Sequence, residues 1–209
     1  MTTYIKTSIK TAGVDEVARG SLFSDVIAAA VILPEEFPDD IYLQIKDSKK
    51  LSFKKRRFLA DYIKKYAIAY AIGYVSAKEI DEINILQASI KAMHIALYDL
   101  MKKTKFNKII VDGNYFKPII SNDDEETIEY ECIPKADNIY LSVAAASIIA
   151  KDYHDNYILE LLEKEPDLHK YDLKNNMGYA TLKHRTAIET YGIHELHRKS
   201  FSTCAKTLK

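Results

Sequence analysis

At 209 residues, with 47% hydrophobic and 29% charged side chains, the chain is long enough to bury one full core with a small appendage. Its 30 basic and 30 acidic residues cancel, so net charge argues neither for nor against a nucleic-acid partner until the distribution of charge is examined. Two cysteines, Cys132 and Cys204, exclude a disulfide framework and set a reducing, cytoplasmic compartment as the expectation. No stretch reads as a signal peptide or membrane span, since the apolar run ending at Leu33 is too short.

In chain order, residues 1–10 read as a frayed lead-in. The sequence AGVDEVARGSLFSDVIAAAVIL at 12–33 then supplies a first strand to about Val17. The small and β-branched run at 26–33 follows as a second strand, buried on both faces. The connection between them is short, which suggests antiparallel neighbours. Pro34 and Pro38 force a loop. Residues 53–66 read as a helix with Phe58, Leu59, Tyr62 and Ile63 on one side, and 67–75 as a third strand. Ser76 is an N-cap candidate with Glu79 as its capping-box partner, and Asn84 caps a further helical stretch. Leu86, Ile90, Met93, Leu97 and Leu100 form the best helical stripe in the chain, which leaves His94 on the solvent side.

KIIVD at 108–112 is a short buried strand ending on a carboxylate. Strand five is expected at 127–133 after an acidic loop, with Asp137 just beyond it. A long helix at 141–162 carries the small-residue run SVAAASIIAK at 142–151, which permits close packing on a sheet. A polar loop around Gly178-Tyr179, a helix at 182–191 and a basic tail close the chain. Without repeats or low-complexity linkers, the organisation is one α/β domain, about 1–165 as core and about 166–209 as a C-terminal helical segment.

Asp15 and Glu16 interrupt an apolar run. Adjacent strand residues point to opposite faces, so both can serve one site only where the strand ends or bulges. Burying a bare carboxylate costs several kcal/mol or more, and the natural partner for clustered carboxylates is a hard divalent cation. Asp112 and Asp137 add two more strand-end acids, where open α/β sheets place their sites. Either one alone is also an ordinary turn or cap residue. Together, such acids suit two Mg²⁺ ions roughly 3.5–4 Å apart, clamping the attacking and leaving oxygens of a phosphodiester.

Charge is segregated despite the balanced total. KDSKKLSFKKRR at 46–57 holds seven basic residues and one Asp, and 183–209 holds six basic residues and two acids. Residues 122–131 carry six carboxylates and no base. This separation allows a basic face able to hold phosphates, although Lys54 to Arg57 also fit the solvated face of a helix. His184, His194, His197 and Cys204 match no standard zinc spacing. Ser142 and Ser147 have no base nearby in sequence, which speaks against a serine nucleophile.

Nine strings in one order carry a specific resemblance. They are GVDEVARGSLF at 13–23, the apolar return at 26–33, DSKKLS at 47–52, INILQAS at 83–89, VDGN at 111–114, KAD at 135–137, AAASIIAKDYHD at 144–155, GYATLKH at 178–184 and HRKSF at 197–201. Over nearly its whole length the chain resembles the ribonuclease HII (type 2 ribonuclease H) family. The resemblance implies a ribonuclease H-like fold, a five-stranded mixed sheet flanked by helices with a C-terminal helical extension. It also implies endonucleolytic cleavage of the RNA strand of RNA–DNA hybrids and 5′ to single ribonucleotides in duplex DNA, leaving 3′-hydroxyl and 5′-phosphate ends.

Carried over by position, Asp15, Glu16, Asp112 and Asp137 match the family's catalytic carboxylates, which bind Mg²⁺ or Mn²⁺. Ala18, Arg19 and Gly20 match a turn, usually Gly-Arg-Gly, that grips the RNA–DNA junction. Ala18 adds a methyl, which matters if that position needs φ > 0. Lys49, Lys50 and Asn84 match residues near the substrate backbone. Tyr179 matches the tyrosine that stacks at the junction and senses the 2′-hydroxyl region. The expected partners are RNA–DNA hybrid and ribonucleotide-containing duplex DNA, with no membrane, a monomeric state and no clear clamp-binding motif after Phe201. Two rivals are a non-catalytic nucleic-acid binder, which the four intact carboxylates oppose, and a phosphatase with an Asp nucleophile. The latter wants Asp-x-Asp, and Val17 occupies the second Asp position.

Overall fold

The computed structural model describes residues 4–8, 10–121 and 126–208. Five strands form one mixed sheet: β1 (Thr11–Val17), β2 (Val26–Ile32), β3 (Ala69–Val75), β4 (Lys108–Asp112) and β5 (Glu129–Ile133). The order is β3-β2-β1-β4-β5. β2 runs antiparallel to both β1 and β3, while β1, β4 and β5 run parallel. The parallel trio therefore delivers its three carboxyl ends to the same edge of the sheet.

The apolar run of β2 is buried at every position because both sheet faces are covered. Val26, Ala28, Ala30 and Ile32 pack under α2 (Ala77–Met101), whereas Ile27, Ala29 and Val31 pack under α1 (Phe53–Tyr66) and α3 (Leu141–Lys164). Each Val or Ile so buried contributes roughly 1.5–3 kcal/mol of transfer free energy. The alanines keep the sheet and helices close. The small-residue run of α3 does the same on β1: a Cβ placed on Gly13 would lie 2.4 Å from the Ser142 carbonyl carbon. Gly13 is therefore a packing requirement.

Several expectations shift in the tertiary context. The lead-in is anchored, since Ile5 N–H donates to Ile139 O at 2.8 Å and Leu141 N–H donates to Ile5 O at 3.0 Å. Lys6 also lies 4.6 Å above the Tyr42 ring. Phe58 and Leu86 are exposed, because Arg56 and Ala60 take the inward arc of α1 and the α2 stripe begins at Ile90. The break expected at Asn84 is real: at φ 65° it kinks α2 and caps the second segment, accepting from the Leu86 and Gln87 amides. Glu79 does not close the capping box; its carboxylate pairs with Lys91. His94 accepts a structural duty by bonding Lys117 O at 3.0 Å. Strand five starts two residues late, and residues 122–125 of the acidic loop lie outside the described residues.

The polar loop before Gly178 contains a 3-10 turn at Pro166–Tyr171 and the single-turn α4 (Leu173–Asn176). With α5 (Leu182–Tyr191) and α6 (Ser202–Thr207), it wraps the far half of α3 around Leu22, Phe23, Ile158, Tyr171, Ile188 and Cys204. The basic stretches are also less solvent-facing than their composition suggests. Arg56 is buried against Asp155 at 2.6 Å, Arg57 pairs with Asp152 at 3.0 Å, and Arg198 is fully buried. The charges of Arg56 and Arg198 belong to the interior, whereas Arg57 remains exposed. Among the described residues no helix is long and apolar enough to cross a membrane.

Gly13→Ala is expected to lower stability by about 1–3 kcal/mol, the usual cost of overpacking. A denaturant titration checks this, with the midpoint falling at unchanged slope.

Candidate active site

The three parallel strands end on, or just before, an acid. Asp15 lies two residues from the end of β1, Asp112 closes β4, and Asp137 sits in the 3-10 turn Ala136–Asn138 after β5. One carboxylate oxygen from each lies within 4.8 Å of the other two. Backbone geometry locks the arrangement. Asp112 Oδ1 accepts the Ala136 amide at 2.7 Å, so the β4 end holds the turn that presents Asp137. Lys135 enters that turn in the left-handed region at φ 62°, and Asn138 donates to Asp137 Oδ1 at 2.8 Å.

The electrostatics are those of a site awaiting positive charge. Burial raises Asp15 well above the usual carboxylate range, reinforced by Glu16, Asp112 and Asp137, while Ser147 opposes through a hydrogen bond. Burial and then Asp112 raise Asp137 in the same way. Glu16 is also raised by burial, with Arg19 pulling it back. The carboxylate of Glu16 turns toward Arg19, 3.2 Å away, and does not join the tight trio. Its second oxygen is buried without a hydrogen-bond partner. An all-oxygen donor set with an orphaned carboxylate oxygen at its margin fits a hard divalent cation such as Mg²⁺ or Mn²⁺.

The remaining expected site residues divide. The Lys49 ammonium is pulled down by burial, yet Asp15, Asp137, Asp47 and Asp112 together leave it raised, so it lies within the field of the cluster. Lys50 is exposed and bonds Asn138 Oδ1. Arg19 is half exposed beside Glu16. Ala18 does occupy the left-handed region, at φ 68°, which costs an L-residue roughly 1–2 kcal/mol. The residue is only 2% exposed, so its methyl does not stand in the path of an approaching polymer. Gly20 has open space around it. Asn84 is engaged in capping its own helix.

Tyr179 joins the first turn through the Ser21↔Tyr179 bridge and the Leu22 amide, which donates to Gly178 O at 2.8 Å. Burial raises its phenol, and the backbone of Ala18 hydrogen-bonds it in opposition. Lys151 stands 5.3 Å from its ring centroid, and His154 meets it edge-on at 6.4 Å. Sequence reasoning passed over this support, together with the Ser48–Ser147 hydroxyl pair at 2.9 Å that backs Asp15. Their signal lay inside the strings DSKKLS and AAASIIAKDYHD, where attention to single motifs stopped short of pairing them.

A family model for ribonuclease HII matches residues 12–204. The chain belongs to the ribonuclease HII family. It is 48% identical over 209 residues to a ribonuclease HII of Christiangramia forsetii, covering 100% of this chain and 98% of that protein. Its fold superposes on the ribonuclease H2 of Pyrococcus horikoshii with a TM-score of 0.71 at 26% identity, covering 94% of this chain and 96% of that one. A Bst-RNase HIII crystallised with Mn²⁺ shares the fold at TM-score 0.74 and 21% identity, over 96% of this chain and 70% of that one. The enzyme is thus an endoribonuclease of the ribonuclease H type, acting on RNA–DNA, with the expected five-stranded mixed sheet.

The raised Asp15 carboxyl fixes a sign for the cation's effect. A carboxyl whose folded pKa exceeds its unfolded value contributes stability below the unfolded pKa and loses it as pH rises through the folded one. Ionising Asp15 therefore weakens the cation-free protein, and a bound divalent cation reverses the penalty. Thermal melts are expected to show a larger Mn²⁺-induced rise in Tm at about pH 8 than at about pH 5.

Proposed function

We propose that the enzyme hydrolyses phosphodiesters of RNA paired with DNA and cuts 5′ to single ribonucleotides embedded in duplex DNA, leaving 3′-hydroxyl and 5′-phosphate ends. The observation that carries this reading is the convergence of Asp15, Asp112 and Asp137 within 4.8 Å, beside a turn and a tyrosine that are tied together. In this reading Asp15 and Asp112 are the principal ligands of Mg²⁺ or Mn²⁺, and Glu16 and Asp137 support them. The Mn²⁺ complex of the fold relative is in keeping with that assignment. Divalent cations in such a site lower the pKa of an attacking water and stabilise the leaving oxygen.

The chain's own groups do the rest. Glu16, with one buried oxygen unpartnered, would help hold the cation beside the aspartates, and an Arg19 guanidinium so released would be available to a substrate phosphate. Lys49 places a positive charge next to the reacting phosphate, and Lys50 and Asn84 follow the strand backbone. The Ala18-Arg19-Gly20 turn offers amides to phosphates, with open space at Gly20 for close approach. Tyr179 stacks on the sugar or base at the RNA–DNA junction, where the 2′-hydroxyl separates RNA from DNA. The C-terminal helical segment, about 166–209, contacts the substrate in this reading. The same reading has the enzyme act as a cytoplasmic monomer.

Asp15→Asn is expected to remove most cleavage, a loss of about 10²-fold or more, while hybrid binding by fluorescence anisotropy stays near wild type. Cleavage at the wild-type rate would refute the ligand assignment. Tyr179→Ala is expected to reduce kcat/KM on a duplex with one ribonucleotide about tenfold more than on a long hybrid. Equal losses on the two substrates would remove its junction-sensing role.

A further inference from the structure

Arg198 is among the least accessible side chains in the molecule, 0% exposed. Among the described residues no carboxylate lies within ion-pair distance of it. Its guanidinium instead donates to four main-chain carbonyls: Nη1 to Ala18 O at 2.7 Å and Arg19 O at 3.2 Å, Nε to Ser24 O at 2.8 Å, and Nη2 to Asp25 O at 2.9 Å. Burial lowers its pKa to about 10, with Asp25 the main opposing influence, so it stays charged at neutral pH. A buried cation spent on four carbonyls of one loop is a costly way to fold a loop. Its effect is to hold the 18–20 turn from beneath, with Ala18 in the left-handed region.

The preceding residue holds the other substrate-facing element. His197 Nδ1 accepts the His194 amide at 2.8 Å, so the proton of the neutral ring sits on Nε2. That nitrogen lies 3.1 Å from His184 Nε2, which must accept. His184 then carries its proton on Nδ1 and donates to Tyr179 O at 3.0 Å. The hydrogen-bond network thereby assigns both tautomers. Both rings are buried, and burial lowers both pKa values, that of His197 to about 3.

We propose that His184, His197 and Arg198 are positioning residues that set the spacing between the 18–20 turn and Tyr179, and so determine the preference for a single ribonucleotide over a continuous hybrid. Arg198 grips the turn, and His197, through His184, grips the tyrosine backbone; one dipeptide spans the two. A junction has to be bracketed from both sides at once, whereas a continuous hybrid presents 2′-hydroxyls at every step and tolerates play between the two elements. The inference rests on the reading that the turn and Tyr179 contact substrate.

Two isosteric changes at His184 separate positioning from packing. An Asn amide nitrogen falls near the place of Nδ1, so His184→Asn keeps the donor to Tyr179 O and strands the His197 N–H. A Gln amide reaches the place of Nε2, so His184→Gln keeps the bond to His197 and releases Tyr179. Either change breaks the relay from His197 to Tyr179, so selectivity should fall in both, whereas stability should fall further in His184→Asn, which leaves a buried donor stranded. The readout is the ratio of kcat/KM on a duplex with one ribonucleotide to kcat/KM on a long hybrid, measured with Mn²⁺ alongside Tm. Both variants are expected to lower the ratio about fivefold, mostly through KM on the single-ribonucleotide duplex, although their Tm values differ.

If His184→Gln does not fold, His197→Asn retains the acceptor for the His194 amide, deletes the donor to His184 and is expected to lower the ratio likewise. Arg198→Lys, which cannot span four carbonyls, is expected to raise KM more on the single-ribonucleotide duplex than on the long hybrid, while the Mn²⁺-induced Tm shift stays at the wild-type value. Ratios that track Tm across the His184 and His197 variants would overturn the histidine assignment, and an unchanged ratio in Arg198→Lys would overturn that of Arg198. A wild-type protein that cleaves neither substrate would instead overturn the functional reading itself.

Discussion

Asp15 carries a desolvated carboxylate at the end of a central strand, within reach of two more acids, and most of the architecture serves that constraint. Like charges gathered in a poorly solvated place repel one another, and left alone they would protonate or splay apart. Here they are kept together by backbone that was committed elsewhere. Parallel pairing brings the ends of β1, β4 and β5 to one edge, the Ala136 amide holds Asp112, and Ser147, itself bonded to Ser48, holds Asp15. The repulsion is retained in the folded chain, an arrangement whose donor set suits a hard cation.

The second organising feature is the way α3 serves both halves of the site. Its first turns are so depleted in side-chain volume that β1 sits against the helix backbone at Gly13 and Ser142. Its later turns carry the Lys151–Asp155 ion pair, with His154 hydrogen-bonded to Asp155, and this group reaches Arg56 on one side and the Tyr179 ring on the other. One helix thus sets the depth of the acids and the location of the tyrosine. The turn at Ala18 completes the arrangement: it shares the Arg198 guanidinium with residues 24 and 25 and lends its backbone to the Tyr179 phenol. Changes in this region are coupled and should not add.

Glu16 stands apart from the three aspartates. As a strand neighbour of Asp15 it points to the other face, and near the end of β1 its carboxylate swings to Arg19. That ion pair is partly exposed on the arginine side and therefore weak. The second Glu16 oxygen is buried with no hydrogen-bond partner, so the carboxylate is only half satisfied by the protein.

Local chemistry determined the strands, the helices and the four acids. The apolar run at 26–32, the Ser76 and Asn84 caps and the small-residue helix were legible because period, burial and capping act over a few residues. Asp15 was legible because it interrupts an apolar run, and Asp112 and Asp137 because each closes or follows a strand toward the same end of the sheet, although either alone also fits a turn or cap. The tertiary structure alone decided what depends on how side chains meet once the elements pack. It placed Arg56 and Arg198 inside, although composition counted them as basic surface, because their partners are Asp155 and the carbonyls of 18–25. It turned Glu16 toward Arg19, gave Ala18 its positive φ, and joined His184 to His197 by a hydrogen bond. Charge in a sequence is a number, but whether it faces water or a carbonyl is fixed only when distant segments meet.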